Sequence, residues 1–107
     1  MRPLADPTDV FHAIADPHRR RLIDLLATGE KPVQELAGDF KISLAAVSQH
    51  LGVLRQAGLV TSRAQGRQRW YKLQPGGLQA VDDWTAHYRS FWKRRLRGLR
   101  AVLDNKP

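Results

Sequence analysis

The sequence predicts a mainly α-helical domain with one small β-hairpin, in the order helix–helix–helix–helix–strand–strand–helix. Apolar residues recur at helical spacing in several segments, and near residues 60–74 they alternate around a glycine instead. The length of 107 residues suits one domain with one modest core, and 42% hydrophobic residues can supply that core. We therefore expect residues 1–107 to form a single domain.

A short first helix is expected over residues 8–15. Its apolar residues at helical spacing are Val10, Phe11 and Ile14. Asp6 or Thr8 can serve as its N-cap, because a short side-chain oxygen can accept from the free N–H groups of the first turn.

Two further helices follow in the first half of the chain. Asp16 and Pro17 give an N-cap followed by proline at the first helical position, and Gly29 is typical of a helix end. Pro32 then opens a third, short helix with Leu36 on its apolar side. The spacing to the next segment fits two helices that cross through a short turn.

The stretch "SLAAVSQHLGVLRQAGL", residues 43–59, predicts a helix with an unusual outer face. Val47, Leu51 and Leu54 mark the buried side, yet no carboxylate occurs anywhere in the stretch. An acid would repel phosphates, small residues let a backbone approach a groove floor, and a glutamine amide can pair with an adenine edge. The face therefore suits the DNA major groove, although a plain amphipathic helix with a bland surface is the alternative. The residues assigned to it are Ser43, Ala45, Ser48, Gln49, His50, Gly52 and Gln56.

The predicted hairpin is basic around its glycine tip. It carries Arg63, Gln65, Arg67 and Arg69. We expect Arg67 to enter a narrow minor groove, and Arg63 and Arg69 to meet phosphates. A solvated edge hairpin whose charges discourage strand pairing is the alternative. A short helix, a reading helix and a basic hairpin in this order predict a winged helix-turn-helix.

The last helix, over about residues 78–103, has an aromatic stripe too wide for one small core. A homodimer in which this helix and the first helix pack against their copies would bury it. Arg95 falls within the stripe, so its stem either reaches water or meets a carboxylate across the interface. An intramolecular core and a helix lying on a membrane surface are the alternatives. The expected interface residues are Val10, Phe11, Ile14, Trp84, Tyr88, Phe91, Trp92, Arg95 and Leu99.

The composition limits the kinds of partner and the cellular location that we expect. The formal net charge of +8 indicates a polyanionic partner, and the chain has no cysteine for disulfides or thiolate metal sites. No apolar run approaches the ~18 residues of a membrane span, and no signal core is visible at the N-terminus. We therefore expect a cytoplasmic protein with double-stranded DNA as its partner, no membrane contact and no cofactor.

Metal and catalytic chemistry find little support in the sequence. Asp83 and His87 lie at i and i+4 and could share one metal ligand, but no second pair follows, so an ordinary surface pair is expected. His12 and His18 are isolated from other ligands in the sequence. Neither a cysteine nucleophile nor a glycine-rich phosphate loop is visible, and we do not expect an enzyme.

Four segments resemble ArsR-type winged-helix repressors: "AIADPHRRRLIDLL", "VQELA", "AVSQHLGVLRQAGLV" and "GRQRWYKL", in that family's usual order. The resemblance covers about residues 8–104. It implies a homodimeric bacterial transcription regulator whose recognition helix enters the major groove of an inverted repeat. It also places Ser43, Ser48, Gln49 and His50 at or near DNA.

Some points stay open alongside this resemblance. His50 lies to the side of the outer face, where it either bonds DNA or packs between helices. The cysteine-rich motif of metal-sensing members is missing, and the sequence does not identify a small-molecule inducer. A sequence-indifferent nucleic-acid binder and a protein-interaction winged helix are the functional alternatives; the basic wing argues against the second.

Overall fold

Helices and a small sheet alternate along the computed structural model, which describes residues 9–104. The elements, in order, are α1 (Val10–Ala13), α2 (Pro17–Leu26), β1 (Lys31–Pro32), α3 (Val33–Ala37), α4 (Leu44–Gln56), β2 (Val60–Gln65), β3 (Gln68–Leu73), a 3-10 turn (Pro75–Leu78) and α5 (Gln79–Asp104). The mainly helical fold with a β-hairpin is confirmed.

The first helix is shorter than expected and has a different cap. Asp9 Oδ1 accepts a 2.8 Å hydrogen bond from the Phe11 backbone N–H. The proposed caps Asp6 and Thr8 lie outside the described residues. At four residues, α1 depends on its contacts with α4 and α5 rather than on its own hydrogen bonds.

The predicted caps of the two longer helices in the winged domain are confirmed. Asp16 Oδ1 accepts from the backbone N–H groups of His18 and Arg19, at 2.7 and 3.2 Å. Ser43 Oγ accepts from the Ala46 N–H at 3.0 Å and begins α4. These bonds satisfy amide donors that a helix start leaves free.

The sheet has a third strand that the sequence did not reveal. Its order is β1-β3-β2, fully antiparallel, with Lys31 opposite Tyr71 and Pro32 opposite Trp70. Pro32 therefore belongs to an edge strand and also precedes α3 as its N-cap residue. Proline lacks an N–H, which an edge strand tolerates. Two residues are too few for an alternating pattern to show.

The core lies where α2, α3 and α4 meet the sheet. Its fully covered side chains include Leu22, Leu36, Leu51 and Leu59. Val10 also belongs to this core. It is 9% exposed within one chain, and its assignment to an interface between copies stays a prediction.

The closing helix projects from this core. It has 26 residues and is about 39 Å long. Val81 and Thr85 are partly covered, but each residue from 86 to 103 is exposed. Within residues 9–104, no helix has both the length and the hydropathy to cross a membrane.

Candidate nucleic-acid interface

The inner side of α4 fixes the direction of its outer face. Val47, Leu51 and Leu54 are fully buried, so the residues on the opposite side point to solvent. Ser48 and Gln49 are exposed, as the predicted reading face requires. Ala45 and Gln56 are exposed with them. The structure thus brings the predicted amide and small side chains onto one accessible surface.

Gly52 makes this surface shallow at its centre. The residue is half-buried, and a Cβ added to it would meet no atom within 4 Å outside its own helix. Space around the position is therefore open, and the chain itself does not require glycine there. A helix interior ordinarily disfavours glycine. Close approach by another molecule is a physical reason for a glycine at such a position.

Ser43 and His50 differ from the rest of the predicted face. The Ser43 hydroxyl oxygen accepts the capping bond of α4. His50 is half-buried, its Nδ1 lies 3.3 Å from Arg19 Nη1, and its ring stacks on His18 with centroids 5.4 Å apart. In the free chain the histidine packs between α2 and α4, and its contact with DNA stays a prediction. The sequence could not show this packing, because its partners lie more than thirty residues away.

The wing presents its charges on an exposed hairpin. Gly66 at the tip has a φ of 62°, which favours glycine. Arg67 follows it and is exposed. Arg69 is also exposed, and its Nη1 donates to Ser62 Oγ at 2.8 Å. Both guanidinium groups can therefore approach a polyanion from solvent.

Arg63 is held by partners within the chain. Its Nε donates to Glu30 Oε1 at 2.6 Å and its Nη1 to Gln65 Oε1 at 2.5 Å, while its guanidinium lies 5.7 Å from the Trp70 ring. Sequence reasoning missed Glu30, which is 33 residues away. Exposed ion pairs contribute about 0–1 kcal/mol, so a phosphate can replace this carboxylate at small cost.

In the sequence segment that contains α4 and the wing, all the charged residues are basic. Between Phe40 and Val81 the sequence has no aspartate or glutamate. The basic residues of this stretch are Lys41, Arg55, Arg63, Arg67, Arg69 and Lys72. The fold brings Glu30 to the wing, through its bond to Arg63, and Asp16 to the side of α4 that carries His50.

Asp16 interacts electrostatically with His50 in the middle of α4. Partial burial raises its pKa, but hydrogen bonds from the Arg19 and His18 amides and the charges of His50 and Arg19 outweigh burial, so the pKa of Asp16 is lowered. The expected isolation of His18 is wrong, since it lies beside both Asp16 and His50. These three side chains could together hold a metal ion. Sequence reasoning missed the cluster because the turn and α3 separate its members.

Asp83 and His87, expected to be an ordinary surface pair, are both exposed on α5. Asp83 Oδ1 accepts a hydrogen bond from Gln79 Nε2 at 2.9 Å. The i, i−4 neighbour of Asp83 thus provides its hydrogen bond. Among the described residues, the candidate metal ligands lie at α2 and α4 rather than on α5.

An exposed aromatic stripe joins α1 to α5. Phe11 meets Trp84 edge to face at a centroid distance of 5.8 Å, and Trp84 meets Tyr88 likewise at 5.7 Å. Farther along, Phe91 contacts Trp92. The predicted interface residues that remain exposed in the single chain are Phe11, Trp84, Tyr88, Phe91, Trp92, Arg95 and Leu99, whereas Ile14 is half-buried.

The position of Arg95 is explained by its own helix. Its guanidinium lies 4.6 Å from the Phe91 ring centroid, one turn earlier, as a cation–π contact. A shallow groove of about 510 Å³ runs along the same helix, lined by Trp84, Thr85, Tyr88, Arg89 and Trp92. The stripe is therefore a continuous, open and largely apolar surface.

Comparison with known proteins places this arrangement in a family. Residues 16–62 match the family model described as "Bacterial regulatory protein, arsR family". The HTH-type transcriptional regulator Rv2034 of Mycobacterium tuberculosis is 40% identical over 106 residues, which cover 99% of this chain and 96% of that protein. The transcriptional repressor SdpR of Bacillus subtilis is 35% identical over 80 residues, covering 75% of this chain and 89% of that protein.

A solved structure agrees over nearly the whole chain. The crystal structure of a possible transcriptional regulator for arsenical resistance is 43% identical, covers 97% of this chain and 100% of its own, and superposes with a TM-score of 0.67. The reading helix, the basic wing and these relatives lead to one conclusion: the chain belongs to the ArsR family of bacterial regulatory proteins and is a winged-helix, DNA-binding transcriptional regulator of the repressor type.

Proposed function

We propose that this regulator binds an inverted-repeat operator as a homodimer in the cytoplasm and represses by occupying a promoter. The observation that carries the proposal is the outer face of α4, which is exposed, free of carboxylates and backed by buried Val47, Leu51 and Leu54. A face with this chemistry can lie against base edges without repelling the phosphates on either side.

Each side chain of the face has a proposed task. Gln49 and Gln56 offer a donor and an acceptor to base edges, and Ser48 bonds a base or a phosphate. Ala45 and Gly52 allow the helix backbone to approach the groove floor. These tasks are supported by exposure and by the open space at Gly52.

The wing extends the contact beyond the major groove. Arg67, beside the tip glycine, is proposed to enter the minor groove. Arg69 and Arg63 are proposed to bind phosphates, Arg63 after exchanging Glu30 for the backbone of DNA, with Gln65 assisting beside it. Phosphate contacts position the protein and set its salt dependence.

The dimer is proposed to form through the aromatic stripe of α1 and α5. Residues 86–103 of α5 are all exposed in the single chain. Burying the large apolar side chains of this segment in a dimer would stabilise it, because each fully buried one contributes about 1.5–3 kcal/mol. A second copy fits this surface, since a two-fold axis brings identical stripes together. Two recognition helices would then meet successive major grooves about 34 Å apart.

Selection of bound duplexes from a random DNA pool tests the proposal. We expect enrichment of an inverted repeat whose half-site centres lie about one helical turn apart, about 10–10.5 base pairs. Sedimentation of the free protein should give the mass of two chains. Binding without any enriched motif would support a sequence-indifferent binder instead, and a monomer in solution and on DNA would refute the dimer.

A further inference from the structure

Three potential metal ligands meet where the start of α2 faces the middle of α4. One ligand atom from each of Asp16, His18 and His50 lies within 4.8 Å of the other two. Asp16 and His18 belong to the first turn of α2 and its cap, and His50 is on the recognition helix next to Gln49. The cluster therefore spans α2 and the recognition helix α4.

The chemistry of the three groups suits a borderline divalent cation. Two imidazoles and one carboxylate form a set of three ligands that binds Zn²⁺ with a water as the fourth. We propose that Asp16, His18 and His50 form a binding site for a divalent transition-metal ion, of which Zn²⁺ is the best fit, that ties α2 to the recognition helix. Binding at this site does not require DNA.

The geometry needs one modest rearrangement. In a tetrahedral zinc site with bonds of about 2.0–2.1 Å, neighbouring ligand atoms are about 3.3 Å apart. The ligand atoms of Asp16, His18 and His50 lie within 4.8 Å of one another, so they must move closer together to bind an ion. The planes of the two imidazole rings are 25° apart and their centroids are 5.4 Å apart. The side chain of His18 is 45% exposed and can rotate toward a shared ion. Asp16 uses Oδ1 as the helix cap, which leaves Oδ2 for the metal.

Arg19 is the competitor for this site. Arg19 Nη1 lies 3.3 Å from His50 Nδ1, and because a guanidinium has only donors it can hydrogen-bond this nitrogen when the nitrogen is unprotonated. A metal bound at this nitrogen would need the same lone pair. Arg19 can withdraw without losing its place, because its Nε and Nη2 also donate to the carbonyls of Ala13 and His12, at 2.7 and 3.1 Å. The ion would then replace the guanidinium as the group that holds His50.

The test measures metal uptake by the full, untagged chain in the absence of DNA, with Co²⁺ as a spectroscopic probe and Zn²⁺ as its competitor. The expected result is one ion per chain, an absorption spectrum typical of tetrahedral coordination, and a melting temperature that rises with Zn²⁺. His18→Ala should weaken metal binding at least about tenfold. Removing a group that hydrogen-bonds a metal ligand already costs about tenfold or more in metal affinity, and removing the ligand itself should cost at least as much.

Two further variants separate ligand loss from misfolding. Asp16→Asn keeps a good N-cap but removes the carboxylate, so it should fold and still lose affinity. His87→Ala removes an exposed histidine of α5 and should bind metal as the parent chain does. Unchanged affinity in both His18→Ala and Asp16→Asn would overturn the proposal. Loss of binding in His87→Ala, or no uptake by the parent chain at a hundredfold excess of metal, would overturn it as well.

Discussion

At Gly52, a substitution should change the stability of the fold and the affinity for DNA in opposite directions. Nothing in the chain blocks a Cβ there, so Gly52→Ala should stabilise the free protein by about 0.5–1 kcal/mol through helix propensity. The added methyl group would lie between the helix and the groove floor and should weaken operator binding. Urea denaturation and a DNA-binding titration on the same variant give the two quantities.

Gly98→Ala is the matched control for this change. It makes the same substitution in α5, again with no atom within 4 Å of the new Cβ. It should stabilise the chain similarly and leave DNA affinity unchanged. Equal affinity of the two variants for DNA would show that Gly52 does not face the groove.

Arg67 should contribute affinity rather than specificity. Arg67→Ala is expected to weaken binding to all duplexes and to lower the slope of log affinity against log salt by about 1. Arg94→Ala removes an equal charge from the projecting helix and should change the slope less. A loss confined to one DNA sequence would instead make Arg67 a base-reading residue.

Asp16 should make stability depend on acid pH. Its pKa is lowered in the folded chain, so its ionised form stabilises the fold above the ordinary aspartate range and loses that effect as the pH falls through the folded-state pKa. Asp16→Ala should cost about 0.5–2 kcal/mol at neutral pH through the lost cap. Denaturant titrations across the acid range should show this difference shrinking. A gap that stays constant with pH would contradict the role of the charge.

Among the elements, α5 exposes the most large apolar side chains in the single chain, and we expect a dimer to bury them. Trp92 is 60% exposed and touches Phe91 of its own helix, so truncating it should leave the single-chain fold intact. Trp92→Ala should raise the dimer dissociation constant at least about tenfold, because truncating a buried interface tryptophan costs about 2 kcal/mol or more. Sedimentation equilibrium measures it, with Lys93→Ala on the polar side as control. An unchanged constant would place the interface elsewhere.

Elements with long periodic patterns were predictable from the sequence, and short or distant ones were not. The caps at Asp16 and Ser43 and the buried side of α4 follow from local rules. The strand at Lys31–Pro32 is too short to show a pattern and exists because β3 pairs with it. Likewise Glu30 and Arg19 acquire their roles from residues about thirty positions away, which no local pattern reports.

For the molecule as a whole, charge and symmetry act together. One chain carries +8, so a dimer carries 2 × 8 = +16. Such a dimer would attract DNA of any sequence. If it neutralises ~6–10 phosphates, its affinity for DNA should fall ~10³–10⁵-fold as the salt concentration rises from 50 to 200 mM. Charge alone therefore cannot select an operator. In the proposed dimer, selectivity would come from the uncharged face of α4 of each chain.

The most direct test compares the base preferences of the parent chain and of Gln49→Ala, each determined by selection from the same random duplex pool. Gln79→Ala, which removes an amide from the start of α5, serves as control. We predict that Gln49→Ala loses the preference at one position in each half-site and binds the parent operator about 1–3 kcal/mol more weakly. Identical preferences in the parent and Gln49→Ala proteins would contradict base reading by this face.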